Sequence, residues 1–491
     1  MQLQELLSVL PFYTVNKSTE NIKINGFNMD HREVKQGDVF ICIKGFTVDG
    51  HQFAEQAVHN GAVVIIAERP LEVESAVIVV VPDTSRALAM LAAKYYHYPT
   101  HHFPLIGITG TNGKTTTTYL IEKICQEHRQ KTGLIGTIQM KIGNEAFPLK
   151  NTTPDALHLQ RYFHQMAEEQ VDVVMMEVSS HALDLGRVYG SDFDIAVFTN
   201  LSQDHLDYHR DMDDYLRAKT LLFTSLGNSY ENAKYAVLNT DDKHSKKIEQ
   251  STAQPIVTYG VNRKADVMAT NINYQLTSTT FLLKTPIGNT TVSSQLIGTF
   301  NIYNMLAASA VAVLLNIPLE TIKQALENIH GVDGRFEQVK AGQNFGVIVD
   351  YAHTPDSLKN VLETIKEFAK KNIYVVVGSG GDRDRTKRPL MAQVALKYSD
   401  LAIFTSDNPR TENPNAILDD MVSGVTTSAK SRYTIIENRK QAIQHAINLA
   451  KADDIILIAG KGHETYQEIN GIRYDFDDRV VAKDAIKQKG N

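Results

Sequence analysis

The stretch Gly107-Ile108-Thr109-Gly110-Thr111-Asn112-Gly113-Lys114-Thr115-Thr116 has the residue types that hold a polyphosphate. Glycines let backbone N–H groups close around phosphate oxygens, and the N-terminus of a following helix adds about half a positive charge. Lys114 can reach the β- and γ-phosphates, and the Thr115 hydroxyl can hold Mg²⁺. The spacing departs from the common G-x-x-x-x-G-K-[ST] form, whose first glycine would fall at Ile108; here the glycines are Gly107 and Gly110. Such a loop specifies a nucleoside triphosphate, not a reaction. A kinase, a motor, a regulatory GTPase and an ATP-driven ligase all fit.

Other residues could complete the chemistry. Val173-Val174-Met175-Met176 ends at Glu177, a carboxylate at a strand's C-terminal edge beside the phosphate-loop strand, well placed for Mg²⁺. Asp204, His205, Asp207 and His209 crowd six residues after another strand and could form a second metal site. Lys219 reads as a solvated lysine on a helix whose other face is apolar. Asp407-Asn408-Pro409-Arg410 follows a strand, where α/β sheets bind ligands; the plainer alternative is an Asn-Pro turn with a solvated arginine.

The elements that must position these groups alternate. Short β-branched runs at 39–43, 63–67, 77–81, 105–109, 172–177, 194–199, 346–350, 373–377, 401–404 and 455–459 read as buried strands, with helical patterns between them. This alternation predicts α/β architecture with parallel, doubly wound sheets. Pro99 and Pro104 mark a linker, and a new unit starts near Gly331, giving expected domains 1–98, 99–331 and 332–491. Asp266 to Ile297, rich in Thr and Ser with turn signals, reads as an antiparallel β insertion.

Three domains suit 491 residues at about 150 each. The net charge of −6 argues against a nucleic-acid partner. Two cysteines, Cys42 and Cys125, exclude a disulfide scaffold and a cysteine zinc site. The N-terminal residues lack a basic, apolar leader, and the apolar stretch from Met305 to Leu315 is too short to span a bilayer. The expectation is a soluble cytoplasmic protein.

Taken together, Gly110 to Thr115, Asn151-Thr152-Thr153-Pro154, Glu177-Val178-Ser179-Ser180-His181, Asn200 to His205 and Asp350-Tyr351-Ala352-His353-Thr354-Pro355 resemble the Mur ligases, the ATP-dependent amide-forming enzymes of peptidoglycan assembly. The resemblance covers nearly the whole chain. It is closest to the branch that adds meso-diaminopimelate to UDP-N-acetylmuramoyl-L-alanyl-D-glutamate. It implies a three-domain architecture with a central P-loop ATPase domain and a C-terminal Rossmann-like domain. It also implies ATP as co-substrate, Mg²⁺, small-molecule partners only, and a monomer.

Residue roles follow from the same resemblance. Lys114, Glu177, His205 and Lys219 would be catalytic, with Lys219 carbamylated. Thr115, Glu177, His205 and the Lys219 carbamate would hold metal. Gly110, Thr111, Asn112, Gly113, Lys114, Thr115, Thr116, Asn301, Arg335 and Asp350 would contact ATP. Asn151, Thr152, Thr153, Ser179 and Arg187 would hold the UDP-sugar peptide. Arg383, Asp407, Asn408, Pro409, Arg410, Gly460 and Glu464 would hold diaminopimelate, Arg410 pairing with its distal carboxylate. At the uridine site the family usually has Asp-Ser-Arg; here Asp30-His31-Arg32 puts an imidazole in place of a small hydroxyl. Two other readings stand beside this one. A folate-polyglutamate synthetase shares the acyl-phosphate logic, but the roughly 100 residues before the phosphate loop disfavour it. A non-catalytic nucleotide switch is disfavoured by the candidate metal ligands.

Overall fold

Buried β-branched runs pair into three successive sheets. The structure is a computed structural model, which describes residues 1–490 apart from 46–47, 228–232, 276–277 and 330. The first sheet has five strands in the order Thr14–Val15, Val77–Val80, Ala62–Ala67, Asp38–Ile41, Gly26–Asn28, all parallel except the Thr14–Val15 edge. Its core includes Ala156 and Leu157 from the helix Ala156–Glu168, so the first unit is packed onto the second. The expected linker is a 3₁₀ turn, Pro99–His101, with Pro99 at its first position, where a missing N–H costs nothing.

The second sheet has eleven strands. At its centre lie Ile195–Phe198, Leu105–Thr109, Val173–Glu177 and Thr132–Ile135, all parallel and buried on both faces by helices. Tyr235–Asn239 and Ile256–Gly260 extend it in parallel. The Asp266 to Ile297 segment is antiparallel within itself, through Val267–Tyr274, Thr279–Thr285 and Gly288–Ser294, with residues 276–277 outside the described set. It is a continuation of this sheet, because Val267–Tyr274 pairs in parallel with Ile256–Gly260.

The third sheet runs Glu337–Gln338, Gly346–Asp350, Ile455–Ala459, Ile373–Val377, Leu401–Phe404, Tyr433–Ile435, parallel apart from its first pair. Ile297, at the end of the antiparallel segment of the second unit, belongs to its core. Among the described residues no helix is long and apolar enough to cross a membrane.

Register positions the chemistry. Glu177 lies opposite Ile108, and Phe198 opposite Thr109, so the carboxylate and the loop after residue 198 emerge beside the phosphate loop. In the third sheet Asp350 and Val377 both pair with Ala459, and Phe404 pairs with Val377. The segments at 350, 378–383, 405–410 and 460–464 therefore leave one sheet edge together.

Candidate functional site

The phosphate loop takes its shape from two glycines with positive φ: Gly110 at 148° and Gly113 at 86°. A Cβ at Gly110 would lie 1.8 Å from Thr199 Oγ1, and one at Gly113 would lie 2.4 Å from Asn304 Oδ1. These contacts account for the shifted glycine spacing: Gly110 serves close approach to the neighbouring strand end. The loop is tied to that strand end by Thr111 N–H donating to Asn200 O (2.8 Å) and Thr199 Oγ1 donating to Asn112 O (2.7 Å). The helix Lys114–Glu127 starts directly at Gly113, which turns its first N–H groups toward the cleft.

The cleft has a volume of about 860 Å³. Residues 111–116 of the loop form one wall, Glu177, Asp204 and His205 another, and Arg335, Asp350 and Tyr351 of the third unit a third. Thr115 Oγ1 donates to Glu177 Oε2 at 2.9 Å and accepts from Arg335 Nη2 at 3.2 Å. The Arg335 guanidinium also lies 4.7 Å from the Tyr351 ring centre. Asp350 Oδ2 accepts from Phe336 N–H and Oδ1 from Ala352 N–H, while burial pushes its carboxyl above the usual range.

Glu177 is fully buried. Its hydrogen-bond donors are Thr115 Oγ1, Thr137 N–H and Thr137 Oγ1, all uncharged. A buried carboxylate whose hydrogen-bond partners carry no charge, beside a hydroxyl, is a donor set that a divalent cation completes. Glu177 also links to the next subsite: its main-chain oxygen accepts from Thr153 Oγ1 at 2.9 Å, and that hydroxyl accepts from Ser179 N–H at 3.1 Å. Arg187 Nη1 donates to Thr153 O at 3.0 Å, and Thr137 and Thr152 hydroxyls meet at 3.1 Å. Asn151, Thr152, Thr153, Ser179 and Arg187 all line the cleft.

Lys219 corrects the sequence reading. It is 1% exposed. Its helix, Met212–Thr224, buries Tyr215, Leu216, Leu222 and Phe223, and position 219 falls on that same face at i+3 and i+4. Its Nζ donates to Gly110 O at 2.8 Å and lies 4.4 Å from the Tyr215 ring centre. Burial, reinforced by the Lys114 charge, pushes its ammonium well below the usual lysine range.

The acidic and histidine run 204–209 does not converge. Asp207 points to solvent, and His209 is buried with Nε2 2.9 Å from Ser180 Oγ. Among the described residues no three His, Cys, Asp or Glu side chains gather as a metal cage. His205 alone of the two histidines lines the cleft; its side chain is 43% exposed, and partial desolvation there, with the Lys114 charge nearby, holds it below the usual histidine range. Asn301 likewise stands behind the cleft wall, its Nδ2 donating to Ile297 O and its Oδ1 accepting from Asn304 Nδ2. Asn304, one turn on, is the residue on the wall. A scan for i+3 partners of Asn301 on the helix Thr299–Leu314 would have found it.

The third unit gathers a second cluster. Arg410 Nη1 donates to Gly381 O at 2.6 Å; Asn408 Nδ2 donates to Glu464 Oε2 at 2.8 Å; Asp407 lies beside Gly460, where a Cβ would stand 2.5 Å from its Oδ2. Arg383, on the adjoining loop, is exposed, and Pro409 is buried. Lys387 was not singled out in the sequence. Burial pushes its ammonium below the usual lysine range, and its field includes Asp204 of the cleft as well as Asp384, Arg383 and Asp407 of the third unit. At the N-terminal unit Arg32 pairs with Asp30 at 2.5 Å while remaining 77% exposed, and the His31 ring stacks on Phe53 with centres 4.4 Å apart.

A phosphate loop flanked by a buried carboxylate and closed by a second α/β unit defines a nucleotide-using α/β enzyme of three units. Its segments match the family descriptions "Mur ligase family, catalytic domain" over residues 23–96, "Mur ligase middle domain" over 108–312 and "Mur ligase, glutamate ligase domain" over 334–462. Two relatives bear the name UDP-N-acetylmuramoyl-L-alanyl-D-glutamate--2,6-diaminopimelate ligase. The protein of Oceanobacillus iheyensis is 60% identical over 493 residues, covering 100% of both chains; that of Bacillus cereus is 56% identical, covering 100% of this chain and 99% of its own. A solved structure titled with the same ligase name superposes with a TM-score of 0.72 at 36% identity, over 100% of this chain and 99% of the other. The chain belongs to the Mur ligase family, whose members are ATP-dependent ligases.

Proposed function

We propose that the chain joins meso-diaminopimelate to UDP-N-acetylmuramoyl-L-alanyl-D-glutamate at the expense of ATP, as the cytoplasmic, monomeric enzyme of that step. The observation that carries the reading is the Arg410, Asn408 and Glu464 cluster on the sheet edge that faces the phosphate-loop unit. It offers a cation for a distal carboxylate and a carboxylate for an ammonium, the two ends of a diamino diacid. The names of the full-length relatives support the same substrate. The units 1–98, 99–331 and 332–491 would bind the UDP moiety, ATP and the amino acid in turn.

The D-glutamyl γ-carboxylate attacks the γ-phosphorus of ATP and releases ADP, leaving an acyl phosphate. The amine of diaminopimelate then attacks that carbonyl, loses a proton, and phosphate departs. Lys114 neutralises charge on the transferring phosphoryl group from the head of its helix. Thr115, Glu177, His205 and a Lys219 carbamate would hold Mg²⁺. The cation supplies charge neutralisation to the phosphates. Arg335 closes the nucleotide from the third unit, and Thr152, Thr153, Ser179 and Arg187 orient the acceptor. ADP release measured across UDP-muramyl acceptors and amino acids tests this. Release that needs both the UDP-dipeptide and diaminopimelate is expected; release with neither, or with a folate, would overturn it.

A further inference from the structure

We propose that Lys461 is a positioning residue for the incoming amino acid: it sets the amide of Asn408 and the carboxylate of Glu464 in the orientation that receives the substrate's distal ammonium. This rests on the diaminopimelate reading and goes beyond it, because Lys461 itself touches no substrate.

The Lys461 side chain has no exposed surface. Its Nζ donates to Asn408 Oδ1 at 3.0 Å and to Glu464 Oε2 at 3.0 Å, and lies 5.4 Å from the Tyr466 ring centre. A wholly buried ammonium is costly unless paired, so its place is fixed by these partners.

The consequence for Asn408 is an unambiguous amide orientation. Its Oδ1 accepts from two groups that can only donate, Lys461 Nζ and Glu468 N–H, the latter at 3.0 Å. Its Nδ2 must therefore face Glu464 Oε2, where it donates at 2.8 Å. Glu464 Oε2 thus takes both Lys461 and Asn408, which leaves Oε1 as the oxygen that can meet an incoming cation. The same contacts dock the hairpin Tyr466–Ile469 and Ile472–Asp475 onto the Asp407–Arg410 loop, where Gln467 Nε2 donates to Asp407 O at 2.6 Å and Arg410 N–H to Glu468 O at 3.0 Å. Arg410, which would receive the distal carboxylate, therefore hangs on the same framework. Lys461 sits behind this surface, too short of exposure to bind a ligand but in contact with two of the groups that do.

The test is steady-state kinetics on the full chain with ATP, the UDP-dipeptide and meso-diaminopimelate. Turnover by the unsubstituted enzyme checks the substrate reading alone. If that fails, the substrate reading and the role of Lys461 fall together; if it holds, the variants decide the role of Lys461. Lys461→Met keeps the length of the side chain and removes its charge. It is expected to raise KM for diaminopimelate on the order of 10- to 100-fold, with KM for ATP and for the UDP-dipeptide unchanged within about threefold. A general loss of structure would move all three. Glu464→Gln with and without Lys461→Met closes the cycle and serves where the single Lys461 variant does not fold. Because Lys461 acts in part through the Glu464 carboxylate, the lysine substitution should change KM for diaminopimelate by a clearly smaller factor when Glu464→Gln is already present than in the unsubstituted enzyme. Equal shifts in all three KM values, additive effects in the cycle, or an unchanged KM for diaminopimelate would each overturn the proposal.

Discussion

Lys114 and Lys219 donate to the same acceptor, the carbonyl oxygen of Gly110, at 3.0 and 2.8 Å. Burial pushes both ammonium groups below the usual lysine range, and Lys219, the less exposed of the two and further repelled by Lys114, is pushed well below it. A neutral amine is the form that adds CO₂, so burial, reinforced by the Lys114 charge, would prepare the residue for the proposed carbamylation. A carbamate there would reverse the sign of the charge beside Lys114.

Lys219→Ala is expected to be nearly inactive, at least about 10²-fold below the unsubstituted enzyme. Formate or acetate should restore part of the turnover by filling the vacated anionic position. Phosphate release with and without added carboxylate measures it. Activity within a few-fold of normal would show that no anion is needed at this position.

Lys114→Ala should also lose at least about 10²-fold in kcat, since it removes a preorganised donor to the transferring phosphoryl group. No carboxylate should rescue it. Nucleotide binding followed by calorimetry, alongside turnover, separates lost affinity from lost catalysis; near-normal kcat would remove the phosphate-loop assignment.

Arg410 predicts the choice of amino acid. L-lysine has a hydrogen where diaminopimelate carries its distal carboxylate, and it would leave the half-buried guanidinium, held among the described residues only by Gly381 O, without its anionic partner. At roughly 1.5–3 kcal/mol for a charge-assisted contact, that is a discrimination of about 10- to 10²-fold. Arg410→Ala should lose activity with diaminopimelate without becoming an efficient lysine ligase, since Asn408 and Glu464 are unchanged. The measurement is kcat/KM for both amino acids with one UDP-dipeptide. Equal values for the unsubstituted enzyme contradict the assignment.

His463 predicts a pH dependence of stability. Burial, with Arg335, Arg479 and Lys461 nearby, lowers its pKa from 6.5 to about 4. The unfolded chain then binds more protons than the folded one between those values. Its contribution is complete above pH 6.5 and lost as pH falls toward 4. His463→Phe, which can keep the ring contact with Tyr351 now at 5.1 Å between centres, should flatten the fall in melting temperature across that window. The expected difference is about 2 kcal/mol between its ends. Identical pH profiles would exclude a neutral buried imidazole.

The sequence was most legible where one residue type can do one job. Strand Leu105–Thr109, Lys114 at the head of its helix and Glu177 at a strand end carry their chemistry in their spacing, and the third sheet's four main strands match their expected limits. Lys219 was illegible because a lysine on an amphipathic helix is ordinarily a solvated one; only its phase against Tyr215 and Phe223 betrays its burial. The run 204–209 misled in the opposite sense. Proximity along the chain suggested a cage, but the backbone turns at His205, φ 54°, and sends His209 into the core. Strands such as Thr132–Ile135 went unnoticed because a four-residue run containing glycine carries little pattern of its own. Its strand character comes from pairing with Val173–Glu177.

Thr115 and Arg335 touch although 220 residues separate them. During synthesis the phosphate loop therefore emerges long before the guanidinium that caps it. A chain cut before residue 335 would carry a phosphate loop open on one flank, with water free to reach a bound triphosphate. If the last unit presents the amine, as proposed, its docking would also be a safeguard, making the spending of a nucleotide conditional on the presence of that part of the molecule.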